Sequence, residues 1–255
     1  RHPHPQPSAF PTHSRTIPLA SLDKTALSHT SRHDADLPQT CPLHHTRLLH
    51  RDIPMHMPAP LILASGSKVR AELLRRAGLD FQTIPGRIDE DAVRAGHLAD
   101  GGSPRDLADL LAELKARKVS DKHSGALVIG ADQILECDGR VYGKAETRAE
   151  AAEHLRTLSG RMHRLLSAAV VCRDGVPLWR HVGQVRLMMH ALSPAFIDSY
   201  LERNWPSVSE AVGCYKIEEE GVRLFSSIEG DFFHILGLPL IELLTWLHIR
   251  GDIST

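Results

Sequence analysis

From Ala59 almost to the C-terminus, short aliphatic runs alternate with longer segments of helical periodicity, and no other feature constrains the fold as tightly. Alternation of this kind is the pattern of an α/β domain. Strands are expected at 61–64, 81–84, 126–131, 134–137, 164–173 and 182–189, and helices at 69–77, 104–119, 148–158, 194–203 and 240–247. Two helix starts have a known mechanism: Ser103 before Pro104 and Ser193 before Pro194 each place a capping hydroxyl ahead of a proline that fits the first helical position.

The first unit, LILASGSKVRAELLRRAGL over 61–79, shows the logic. A buried strand breaks at Ala-Ser-Gly-Ser, Ser67 can cap a helix, and Val69, Leu73, Leu74 and Ala77 recur at helical spacing until Gly78 stops it. The turn leaves backbone N–H groups and the positive end of a helix dipole facing outward, with Lys68 and Arg70 beside them. It reads as a phosphate cradle or as an ordinary strand-to-helix connection with solvated basic residues.

A chain of 255 residues could hold one large or two small domains, and the unbroken pattern favours one. The first 56 residues differ: they hold nine of the seventeen histidines, many Pro, Ser and Thr, and no periodicity. They read as a disordered extension, with His44 and His45 lacking the context of a metal site. Arg1 as first residue, with Met55 and Met57 just before the first strand, raises the expectation of an over-long gene start. A targeting peptide fits less well, since no apolar h-region is present. The expected organisation is an extension at 1–57, one domain at 58–250 and a tail at 251–255.

A net charge of −1 gives no reason to expect nucleic acid or an anionic membrane as partner. No apolar run reaches the roughly 20 residues of a membrane span. Cys41, Cys137, Cys172 and Cys214 lack metal-ligand spacing and suit free thiols in a reducing compartment, so a cytoplasmic protein is expected.

Charged groups collect at strand ends and turns: Asp89 and Glu90 after a Pro-Gly turn, Asp132 after ALVIGA, Lys144 in YGKA after a hairpin, and Asp231 in EGDFF, with Lys115 on a helix. Each alone reads as surface charge. Together they offer carboxylates to a hard divalent cation and cations to phosphate oxygens.

Seven segments in order, LILASGSKVRAELL, IDE, LAELKARKV, GADQIL, YGKA, LSGRMH and EGDFFHILGLPL, resemble the Maf family of nucleoside triphosphate pyrophosphatases over 61–250. The resemblance implies a mixed twisted sheet wrapped by helices with a nucleotide cleft between two lobes. It also implies hydrolysis of a nucleoside triphosphate to the monophosphate and pyrophosphate with Mg²⁺ or Mn²⁺, and a homodimer as candidate assembly. In this reading Ser65, Ser67 and Arg70 hold the triphosphate, Glu90 and Asp132 the metal, Lys115 and Lys144 neutralise phosphate charge, and Asp132 takes a proton from the attacking water. A second reading is a nucleotide-binding regulator of cell division with little turnover.

Three positions depart from the family pattern for base recognition. Val69, after Lys68, stands where Arg after Ser-Pro is usual. Gln133 stands where pyrimidine-preferring members often have Thr, and Glu218 in CYKIEEEG replaces the Gln of YGIQG. Glu218 can accept from the donor edge of a guanine or be solvated. The implied preference shifts from dTTP and UTP toward guanine-type or 7-methylguanosine-type triphosphates. His234 replaces the family's Asn.

Overall fold

The computed structural model describes residues 59–254, and the expectations for the N-terminal extension lie outside them. The described residues form a single α/β domain. The chain runs β1 (Leu61–Leu63), α1 (Lys68–Arg76), β2 (Gln82–Thr83), α2 (Glu90–Ala99), α3 (Pro104–Ser120), β3 (Leu127–Cys137), β4 (Arg140–Tyr142) and α4 (Arg148–Leu158). It continues through β5 (Met162–Arg173), β6 (Val176–Met189), α5 (Pro194–Asn204), three short 3-10 turns, β7 (Phe225–Glu229), α6 (Phe232–Ile235) and α7 (Leu240–Arg250).

All seven strands join one mixed sheet, ordered β2-β1-β3-β5-β6-β7 with β4 added to β3. β2 and β3 run parallel to β1, and the remaining pairs are antiparallel. Two strands expected at 126–131 and 134–137 are one strand, β3, because its ladder with β5 is unbroken from Val128 to Glu136. β3 divides its other edge: Leu127–Ile129 pair with β1, and 135–137 pair with β4. Residues 130–134 lie between those two ladders.

Alternation along the strands sends side chains to two covered faces. One face packs Val128, Ile134, Leu166, Ala168 and Val170 against Leu107, Leu111, Ala112 and Ala116 of α3. The other packs Leu127, Ile129, Ala131, Ala169 and Val171 under α1 and α7. A third cluster gathers α4, α5 and the 3-10 segment around Leu135, Leu165 and Val185. α3 lies unusually close to β3: a Cβ on Gly130 would sit 2.1 Å from the Ala112 carbonyl oxygen. Among the described residues no helix is long and apolar enough to cross a membrane. The three described cysteines, Cys137, Cys172 and Cys214, are free and buried.

The expected caps form. Ser67, Ser103 and Ser193 each accept from the backbone N–H three residues on. The periodicity does not announce α2, which makes Glu90 the first residue of a helix capped by Asp89 rather than part of a loop.

Candidate active site

A cavity of about 820 Å³ opens beside the divided edge of β3, and all ten candidate site residues line it: Ser65, Ser67, Val69, Arg70, Glu90, Lys115, Asp132, Gln133, Lys144 and Glu218. They come from the β1–α1 turn, α1, α2, α3, β3, the segment after β4 and the 3-10 region. Chain folding brings them to one place.

The Ser65–Ser67 turn is tied from within. Ser65 Oγ accepts from Ser67 N at 3.2 Å, and Ser67 Oγ accepts from Arg70 N at 3.3 Å. Arg70 is largely committed to the protein: Nε donates to Gly237 O at 2.7 Å, and Nη1 to Ala131 O at 2.9 Å and Ser65 Oγ at 3.2 Å. Ala131 lies in the stretch of β3 that meets neither β1 nor β4, so the guanidinium satisfies a carbonyl that the ladder leaves open. Burial lowers the Arg70 pKa, opposed by the charges of Asp132 and Glu90.

At the floor of the cavity, Lys115 Nζ contacts Asp132 Oδ1 at 2.5 Å and Glu90 Oε1 at 2.8 Å. Lys115 and Asp132 side chains are 10% and 9% exposed, and Glu90 is 43% exposed. Burial pushes the Asp132 pKa up from the ordinary aspartate value, while Lys115 and Arg70 pull it back and Glu90 adds to the rise. This close contact depends on α3 lying against β3 at Gly130. A second close approach supports it, since a Cβ on Gly86 would meet the Lys115 carbonyl oxygen at 2.5 Å.

Gln133, on the opposite face of β3 from Asp132, spends its amide nitrogen on the protein. Nε2 donates within 2.9 Å of Ser167 Oγ and His234 O, and 3.0 Å of Ile235 O. Two carbonyls at one end of the amide fix which end is nitrogen, so Oε1 is the atom left to meet a ligand. Val69 is half-buried on α1, and Lys144 and Glu218 are exposed on the cavity wall.

Sequence reasoning missed further lining residues. Arg94 of α2 pairs with Asp91 at 2.9 Å. Lys216 donates to Ser207 Oγ at 2.7 Å and lies 3.3 Å from Glu210. Its position two residues before Glu218 in CYKIEEEG was the signal available. The cavity thus carries cations on several walls around a buried carboxylate, which suits a polyanionic ligand and a proton transfer at its floor.

Comparison with known proteins agrees with this chemistry. Over 199 residues, covering 78% of this chain and 100% of the relative, the sequence is 55% identical to a nucleoside triphosphate pyrophosphatase of Ruegeria pomeroyi. It is 55% identical over 197 residues to the protein of the same name from Roseobacter denitrificans, covering 77% of this chain and 99% of the relative. It is also 47% identical over 198 residues to a 7-methyl-GTP pyrophosphatase of Mesorhizobium japonicum, covering 78% of this chain and 100% of the relative. The family model described as Maf-like protein matches residues 60–249, and the chain belongs to that family.

Proposed function

We infer that the protein hydrolyses a nucleoside triphosphate to the monophosphate and pyrophosphate in this cavity. The observation that carries the reading is the convergence of Lys115, Asp132 and Glu90 opposite the Ser65–Ser67 turn. Relatives 55% identical over essentially their whole length bear the name of that activity.

The Ser65–Ser67 turn presents backbone N–H groups to the triphosphate, with Arg70 Nη2 and Lys144 adding charge. Asp132 orients the attacking water and takes its proton as the bond between the α and β phosphates breaks. Its raised pKa makes it a better base than an ordinary aspartate. Lys115 neutralises charge that shifts toward the leaving pyrophosphate. The donor set fits a hard divalent cation, Mg²⁺ or Mn²⁺, because Glu90 and Asp132 already converge on one cationic group, the Lys115 ammonium. Bound there, the ion would supply charge neutralisation and a more acidic water. Three buried free thiols support a cytoplasmic setting.

Pyrophosphate release from a panel of triphosphates with Mg²⁺ or Mn²⁺ tests the activity, and no release from any of them overturns it. Within the panel, guanine-type or 7-methylguanosine-type triphosphates should give a higher kcat/KM than dTTP and UTP. Gln133 Oε1 and Glu218 are both acceptors, suited to an edge that carries N–H groups. A mismatch in such a pocket costs about 1–3 kcal/mol, a shift of roughly 5- to 150-fold. Faster turnover of dTTP and UTP than of every purine would refute the specificity reading and leave the activity standing.

The pH profile is a separate test. A base is active only above its pKa, and that of Asp132 is raised by burial and lowered by Lys115 and Arg70, so the acid limb of kcat/KM reports the balance of these effects. Lys115 pulls the value down, so Lys115→Met should move the limb of the residual activity to higher pH. A limb that stays in place or moves down contradicts the assignment.

A further inference from the structure

On the sheet face away from Asp132, three ligand-type side chains from three elements meet: His181 of β6, His234 of α6 and Glu242 of α7. Their ligand atoms all lie within 4.8 Å of one another. We propose that they form a second cation site, selective for a borderline divalent transition metal of the Zn²⁺ class.

The geometry is close to what such an ion needs. Ligand atoms about 2.1 Å from a tetrahedral Zn²⁺ stand about 3.4 Å apart. His234 Nε2 lies 3.2 Å from Glu242 Oε2, and His181 Nε2 lies 3.6 Å from Glu242 Oε1. Each ring thus already reaches one oxygen of the same carboxylate, and with one ligand atom from each residue all three lie within 4.8 Å, so a small inward movement of the rings closes the set around an ion. Two imidazoles and one carboxylate suit zinc rather than Mg²⁺, which prefers an all-oxygen shell. His181 and Glu242 are partly exposed, at 37% and 34%, so water can reach a fourth position. The site is also framed. His234 lies against β6 where Gly183 has no side chain: a Cβ there would be 2.2 Å from His234 Nδ1. His181 stacks on Trp179, which stacks on Trp246 of α7.

The placement links the ion to the cavity. The backbone carbonyl of His234 accepts from Gln133 Nε2 and from Ser167 Oγ. An ion that fastens the His234 ring to β6 and α7 thereby fastens the carbonyl that orients Gln133.

Nine further histidines in residues 1–56 would blur a simple count of bound metal, so the readout must be local. Trp179 and Trp246 provide one, because bound Co²⁺ quenches nearby indole emission. In the full chain, Co²⁺ should quench tryptophan emission saturably and Zn²⁺ should compete the quenching away. His181→Ala and the near-isosteric Glu242→Gln should each raise the Co²⁺ concentration required by at least about tenfold, with unchanged far-ultraviolet circular dichroism. Glu90→Gln, which alters only the catalytic cavity, should titrate like the unaltered protein. The proposal fails if no saturable quenching occurs, if Glu242→Gln titrates like the unaltered protein, or if Glu90→Gln removes the effect.

Discussion

Asp132→Asn should lower kcat by at least about 100-fold while nucleotide binding survives. The amide keeps the shape of the side chain and can still accept from Lys115, so the floor of the cavity stays packed. The lost property is the ability to take a proton. The loss should therefore fall on kcat, with the Kd of a non-hydrolysable triphosphate analogue changed by less than the turnover. Pyrophosphate release and equilibrium titration on one preparation separate the two. A loss of only a few-fold would make Asp132 a structural partner of Lys115 rather than the base.

Gly130→Ala should be the most damaging single methyl group in the domain. The added carbon would lie 2.1 Å from Ala112 O, 2.7 Å from Ala116 N and 2.8 Å from Ala116 Cβ. Two of those atoms are helix backbone and cannot turn aside, so α3 must move off β3. Overpacking of this kind costs about 3 kcal/mol at the upper end of its usual range. In a domain of this size that lowers Tm by roughly 10 °C. Turnover should fall too, because α3 carries Lys115 and β3 carries Asp132. Gly96→Ala is the matched control: nothing lies within 4 Å of the added carbon in α2, and the change should stabilise by about 0.5–1 kcal/mol. Equal melting temperatures for the two variants would refute the packing argument.

Features that depend on near neighbours in the chain are legible in the sequence. Ser67, Ser103 and Ser193 cap helices through contacts three residues long, so composition alone reveals them. β3 reads as two strands because Asp132 and Gln133 look like the end of a buried run, whereas a ladder to β5 carries the strand through them. α2 is hidden because it buries no side chain fully, and Gly96 interrupts its pattern. β7 is hidden because FSSIE is a largely exposed edge strand. The ten motif residues do share one cavity, yet the motif could not say that Arg70 is spent largely on carbonyls of Ala131 and Gly237. Nor could spacing reveal His181, His234 and Glu242, whose proximity exists only after three elements pack.

The divided edge of β3 acts as a ruler. From Ile129, the last partner of β1, to Leu135, the first partner of β4, is six steps, or about 20 Å of extended chain. The gap in that edge of β3, beside which the cavity opens, is thus written in the residue count of one strand. With the pairing to β1 held, removing residue 130 or 131 would both shorten the gap and turn Asp132 to the face that Gln133 now occupies, exchanging the proposed base and the proposed specificity residue in a single step. Removing two would restore the alternation but leave a gap shortened by about 7 Å. The length of that gap and the faces taken by Asp132 and Gln133 are therefore set by the same five residues, and neither can drift without the other.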